Sequence, residues 1–327
     1  MMASNEHRFP PPRNHLTLSI IASATANLSA RSSWVTYYPL KANEIRLLTL
    51  QPGSKRDIIQ CTICHGNLRE SPKYEAVSYM WGSEHFLKQM EIDGRICSVR
   101  NNLWTALWHL RLRHKQRILW VDALCINQSD DVERGVQVAQ MGLIYRQASA
   151  VCVWLGPASS VARETIEFLE DELTIKEVES GSIYYSRDWD RVRRLCTLDY
   201  WGRLWIIQEV VLARKLKLYW GTFELSWDCL DAVLYLFESR RLFVVDKFTR
   251  QSKFASQYPF SREITESTTL KICQQRRRRT ELSSSDEPSL YSLLRVYDGS
   301  KCVDFRDKIF GLRSLVRPCC RSATPVE

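Results

Sequence analysis

Two apolar runs of strand length, RILWVDALC and VCVWLGP, and two further strand-like segments, YEAVSYMWG and KLKLYWG, are separated by segments whose apolar residues recur at helical spacing. Continuous apolar runs suit strands covered on both faces, and strands alternating with helices form α/β domains around a largely parallel sheet. Right-handed crossovers then place helices on both faces. NNLWTALWHLRLRH brings Leu103, Leu107 and Leu110 to one side of a helix. Asp130 stands three residues before Glu133, the spacing of a capping box, and Val132, Val136, Ala139 and Leu143 follow at helical intervals as the apolar stripe of the next helix. Ahead of these, KQMEIDGRICSV predicts a hairpin turning at Asp93-Gly94. Beyond about residue 230 the alternation gives way to helical pieces.

In sheets of this kind ligands sit beyond the carboxyl ends of the strands. The polar residues expected at that edge are Ser78 and Tyr79 with Trp81 and Gly82, then Asp122, Asn127 and Gln128. Asp122 either binds a ligand hydroxyl or caps the loop carrying Asn127 and Gln128. Trp120 and Trp154, inside strands, read as core, whereas Trp81 at a strand end is expected to face a pocket.

The segment RLWIIQEVVLAR poses a sharper question. As a helix it is apolar on nearly every side, so it is expected to be buried, yet it carries Glu209. The residues three and four positions away, Trp205, Ile206, Leu212 and Ala213, cannot pair with a carboxylate. A buried carboxylate finds a partner elsewhere or shifts its pKa. Two roles stay open: a structural one, with Glu209 accepting backbone N–H groups or pairing with Arg203 or Arg146, and a catalytic one, with Trp205 as a wall and Gln208 or Arg203 as polar supports.

Composition excludes several classes. An apolar fraction of 45% and a charged fraction of 25% are those of a globular chain. No run approaches the ~20 apolar residues of a membrane span. The 11 cysteines are scattered over 327 residues without framework spacing, as expected of reduced thiols in a cytoplasmic protein. Cys61-Thr-Ile-Cys64-His65 fits a haem-attachment spacing, but no second Cys-x-x-Cys follows and Ile59, Cys61 and Ile63 alternate as in a strand, so neither haem nor metal is expected. A Cys125–His pair is not expected, since no histidine of the α/β core follows His114. No Gly-rich phosphate loop is present. The net charge of +9 includes four arginines in the run Arg276–Arg279, read as part of a solvated low-complexity insertion around 274–288; nucleic-acid binding through it ranks last. Residues 1–33, rich in Ser and Ala and interrupted by prolines, read as a disordered leader.

The blocks YEAVSYMWG, LWVDALCINQSDDVERGVQVAQMGLIYRQASAVCVWLG and RLWIIQEVVLA resemble, in order, those of the fungal heterokaryon-incompatibility (HET) domain, and VDFRDKIFGL resembles the Arg-Asp-Lys segment that often follows it. Val77, Phe305 and Gly311 stand where Leu, Pro and Ala are usual in that family. The resemblance implies a domain over 34–225, with its core blocks at 74–213, followed by a mainly helical extension over 226–327. Relatives usually continue beyond that segment, so a compact or shortened form is expected. The resemblance further implies a role in non-self recognition and programmed cell death, and a distant likeness to Toll/interleukin-1-receptor (TIR) domains, which have a flavodoxin-like fold with a mostly parallel sheet. Some TIR domains cleave NAD with a glutamate on a helix beginning Trp-Cys-x-x-Glu, and Trp205-x-x-x-Glu209 matches that spacing. By that likeness Glu209 would be catalytic, NAD a substrate rather than a bound cofactor, and the protein would work by associating with itself or with similar signalling proteins. The other implication is a non-catalytic interaction module in which Glu209 holds the core.

Overall fold

The computed structural model describes residues 35–170, 189–248, 259–281 and 287–317. The expected leader and residues 282–286 of the expected insertion lie outside them. The strands are β1 (Glu44–Leu50), β2 (Gln60–Asn67), β3 (Glu75–Tyr79), β4 (Leu87–Ile92), β5 (Arg95–Arg100), β6 (Arg117–Trp120), β7 (Ala150–Gly156), β8 (Leu216–Trp220) and β9 (Phe223–Ser226). They form one nine-stranded sheet in the order β5-β4-β2-β1-β6-β3-β7-β8-β9. Its centre, β6-β3-β7-β8, is parallel, as the alternation predicts. The whole sheet is mixed, however: β1 runs antiparallel to both β2 and β6, and the hairpins β4–β5 and β8–β9 add antiparallel margins. Those strands lie outside the βαβ alternation, which therefore could not announce their direction. Asp93 and Gly94 both take positive φ, 51° and 75°, and turn the β4–β5 hairpin as expected.

The helices are α1 (Asn101–Leu110), α2 (Asp122–Cys125), α3 (Asp131–Gln147), α4 (Ser160–Glu170), α5 (Trp189–Cys196), α6 (Ile206–Val211), α7 (Trp227–Phe248), α8 (Pro259–Glu266), α9 (Thr268–Glu281), α10 (Leu290–Val296) and α11 (Asp307–Arg313). Successive strand residues face opposite ways. Trp154 on β7 therefore reaches α1, its indole N–H donating to Asn102 at 3.0 Å, while Ser78 on β3 reaches α6. Helices thus cover both faces. The apolar run RILWVDALC is not one strand: β6 stops at Trp120, and Asp122 opens the short helix α2.

Helix α3 starts as its sequence indicates, with Asp130 accepting from the amides of Val132 and Glu133. The second half of the capping box is absent. Glu133 turns instead to Arg46, which is 1% exposed, and binds it through both oxygens at 2.5 and 2.8 Å. The guanidinium also donates through its two terminal nitrogens to the carbonyls of Tyr38 and Cys125. The larger surprise is the helix's orientation. Val132, Val136, Ala139 and Leu143, the expected apolar stripe, all face solvent, and the buried side consists of Arg134, Gln137, Met141, Ile144 and Tyr145. Gly142 lies so close to Ser314 that a Cβ there would fall 2.4 Å from the serine's own, so this turn of α3 tolerates no side chain.

The arginine run is helical, not a solvated insertion. Residues 276–279 belong to α9, where Arg276 donates to the carbonyls of Val210 and Ala213 and so closes the carboxyl end of α6. Arg277 pairs with Asp231 and Glu238 of α7 at 2.6 and 2.9 Å. A basic patch free for nucleic acid is therefore not what Arg276 and Arg277 provide.

Two substitutions test this packing. Glu133→Ala strands the Arg46 charge in the interior and is expected to lower unfolding free energy by about 3–5 kcal/mol, read by urea denaturation. Arg276→Ala leaves the α6 carbonyls without their cap and should cost about 1–3 kcal/mol in the same assay.

Candidate functional site

Every residue of α6 is buried. The helix is entered through Gly202–Leu204, which pair with Lys301 as a short bridge (Leu204 N to Lys301 O, 2.9 Å), and it packs against β3, α3, α9 and α11. The apolar surround predicted from RLWIIQEVVLAR is thus real, and Glu209 is 2% exposed within it.

Its partners are hydroxyls. Ser78 Oγ donates a short hydrogen bond to Glu209 Oε2, and the Tyr145 hydroxyl from α3, which donates to the Val77 carbonyl at 3.2 Å, stands near enough to lower the carboxyl's pKa. The Tyr200 hydroxyl lies 2.5 Å from Ser78 Oγ. Ser78 has one proton, committed to the carboxylate, so Tyr200 donates to Ser78 and a relay Tyr200–Ser78–Glu209 results. Burial pushes Glu209 up to about 7; Arg203 and Ser78 pull it down, Asp122 pushes it further up, and Tyr145 lowers it. Burial likewise drives the hydroxyls of Tyr145, Tyr200 and Tyr79 well above their usual range, so they remain donors at any ordinary pH.

A second carboxyl stands at the neighbouring strand end. Asp122 Oδ2 accepts from the Trp81 indole N–H at 2.7 Å, Oδ1 accepts from the Ala123 amide at 2.8 Å, and the Tyr79 hydroxyl also bonds to it. Burial raises its pKa, against the lowering effect of Trp81, Arg203 and its other donors. Arg203 lies in the field of both carboxyls, and its Nη1 donates to the Tyr79 carbonyl. Trp81 is half-buried, as expected of a residue at the rim, with the Arg100 guanidinium 5.3 Å from its ring centre. Gly82 next to it takes φ +72°, a conformation glycine adopts without strain.

Ser78, Tyr79, Trp81, Gly82, Asp122, Arg203 and Glu209 thus gather at the carboxyl ends of β3 and β6, although strand alternation turns Ser78 and Tyr79 to opposite faces. Asn127 and Gln128 hold the loop: Asn127 accepts from the Ser129 amide and Gln128 donates to the Asp122 carbonyl. Trp205 lies one turn before Glu209 and is partly buried. Its indole N–H points to Asp307 at 3.3 Å, tying α6 to the Arg306-Asp307-Lys308 segment. Gln208 is buried, with its Nε2 unpaired among the described residues. Tyr145 and Tyr200 escaped notice in the sequence because their hydroxyls act 64 and 9 positions from Glu209, across packed elements, with no local spacing to mark them. Cys125 is buried with its thiol pushed up to about 12, far from a nucleophile's range.

Fold and site define an α/β domain with two perturbed carboxyls at the carboxyl edge of its parallel strands. Residues 74–209, from the first residue before β3 to Glu209 itself, match the family model described as heterokaryon incompatibility protein (HET). Over those residues the chain is similar to a HET domain. A stretch of 144 residues is 35% identical to heterokaryon incompatibility protein 6, OR allele, of Neurospora crassa, covering 40% of this chain and 21% of that protein. The match thus spans about a fifth of the relative's length. No solved structure matches the chain. Among the described residues no helix is long and apolar enough to cross a membrane.

The raised pKa of Glu209 has a stability consequence. Folded, the group keeps its proton up to about 7; unfolded, it loses it near 4.5. The native state therefore binds more protons between those values, and this group's contribution is complete below pH 4.5 and lost as pH passes 7. Glu209→Gln should abolish that slope, so that urea denaturation at pH 5 and pH 8 differs between parent and variant by on the order of 3 kcal/mol.

Proposed function

We propose that this protein acts in fungal non-self recognition and programmed cell death, and that it does so by cleaving NAD at the Glu209 edge. The observation that carries the reading is how Glu209 is held: by the hydroxyl of Ser78 at a strand-end edge, with no guanidinium hydrogen-bonded to it among the described residues. Carboxyls perturbed by burial at such an edge are candidates for chemistry. Counted along the chain, the parallel strands β3, β6, β7 and β8 lie in the order second, first, third, fourth. That is the order of flavodoxin-like sheets, whose ligands bind where the order reverses, here between β3 and β7. This supports the TIR-like reading, under which Trp81 and Gly82 would lie beside the ligand.

In the reaction, the bond between ribose C1′ and the nicotinamide nitrogen breaks, its electron pair leaving with the ring as neutral nicotinamide. Water adds at C1′ and gives up a proton, leaving ADP-ribose. The Glu209 carboxylate faces the cationic sugar at the transition state, as the carboxylates of glycosidases do. The positive charge of the bound nicotinamide ring favours ionised Glu209. With 2% exposure Glu209 must be uncovered first, which fits a domain that works when it associates with others of its kind.

That same closure favours the second reading, in which the domain is a non-catalytic self-associating module and the relay Tyr200–Ser78–Glu209 holds α6 on β3. Incubating the concentrated protein with NAD and measuring free nicotinamide separates them. Under the first reading the parent turns over, Glu209→Gln loses at least ~100-fold, and the rate rises with pH through about 7. An inactive parent, with Glu209→Ala unfolded, would leave the second reading.

A further inference from the structure

The outward stripe of α3 remains unexplained by any of this. Val132, Val136 and Leu143 are 68%, 51% and 40% exposed, and Ala139 between them is exposed too. Their spacings of four, three and four are those of a coiled-coil seam, and they run along about 16 Å of one helix side. An ordinary surface helix carries polar residues there, and β-branched valines gain nothing as exposed helix formers.

We propose that this stripe is a docking surface for a second copy of the chain, the two α3 helices packing antiparallel about a two-fold axis. This deepens the self-association proposed above and does not depend on NAD chemistry. The stripe is self-complementary in that arrangement: Val132 meets Leu143 of the other copy, and Val136 meets Ala139, large against large and medium against small. The small Gly135 on one flank, only partly buried, lets the backbones approach. Charge selects the direction. The first turn carries Asp131 after the Asp130 cap, paired with Arg134 at 2.6 Å yet 56% exposed, and the last turn carries Arg146. Antiparallel pairing sets each acidic end beside a basic one and opposes the helix dipoles favourably; parallel pairing would put the acidic ends of both copies together.

Four residues a side cover less than the roughly 800 Å² per partner of a stable complex, so the dimer is weak and forms where copies are concentrated. Such a contact responds to clustering, as a domain triggered by association requires.

Sedimentation equilibrium of the full chain from micromolar to millimolar concentration tests it. The parent should show a reversible dimer, and Val136→Lys should raise its dissociation constant at least ~10-fold with an unchanged circular dichroism spectrum, since the site is exposed. Val132→Glu and Leu143→Lys should each dissociate alone and pair when mixed. A parent that stays monomeric overturns the proposal, as does a dimer indifferent to Val136→Lys. Restored pairing of Val132→Glu with Val132→Lys instead would mean parallel helices and overturn the geometry. A lower unfolding midpoint for Val136→Lys in a monomeric parent would assign the stripe to contact within one chain. None of these readouts involves nicotinamide release, so the two proposals stand or fall separately.

Discussion

The burial of one carboxyl group constrains the centre of this molecule. Glu209 cannot stay ionised in an apolar surround without a donor, and Ser78 supplies it from β3, while Tyr145 of α3, tied to the Val77 carbonyl of the same strand, stands beside it. Each donor fixes a distance between layers: α6 must lie over the end of β3, and α3 must pack near enough for a tyrosine to reach. Tyr200 then holds the serine from the turn that precedes α6. The network is costly to leave half satisfied, which makes it a strong specifier of how these elements meet.

The region after the sheet serves the same centre. Arg276 closes the end of α6 through its free carbonyls, and Asp307 takes the Trp205 indole at its beginning. Gly311 of α11 lies close enough to Leu204 that a Cβ would stand 3.3 Å from its side chain, so the Arg-Asp-Lys segment packs directly on the entry to α6. A six-residue helix has little stability of its own. Its position comes from these contacts at both ends, which explains why helices beyond the family-matched residues 74–209 bear on a residue inside them.

Two carboxyls, Asp122 and Glu209, sit at adjoining strand ends with Arg203 in the field of both. Each raises the cost of ionising the other, and the arginine offsets part of that cost. Their accessibility differs: Asp122 reaches the half-buried rim through Trp81, whereas Glu209 is sealed. The chemistry proposed for Glu209 would therefore need this edge to open, whereas a purely structural role would not.

The local signals in the chain were sufficient for what is local. Asp93-Gly94 turns a hairpin because both residues accept positive φ, and Asp130 starts α3 because its side chain reaches amides two and three residues on. The apolar surround of Glu209 was legible too, since helical spacing alone puts Ile206, Leu212 and Ala213 beside it. What periodicity could not reveal was which side of α3 docks. An apolar stripe marks a face that avoids water, not the surface that covers it, and here the buried side was won by Gln137 and Tyr145, which donate to the distant carbonyls of Glu44 and Val77, and by Arg134, which donates to the nearby Gln128 carbonyl. The arginine run likewise reads as solvated until α6 places open carbonyls against it. By itself the sequence determined the elements, their caps and the α/β alternation, because those rest on neighbours within a few residues. The partners of Glu209, Asp122 and Arg276 were decided only by tertiary structure, because hydrogen bonds and fields act through space between residues that the chain holds far apart.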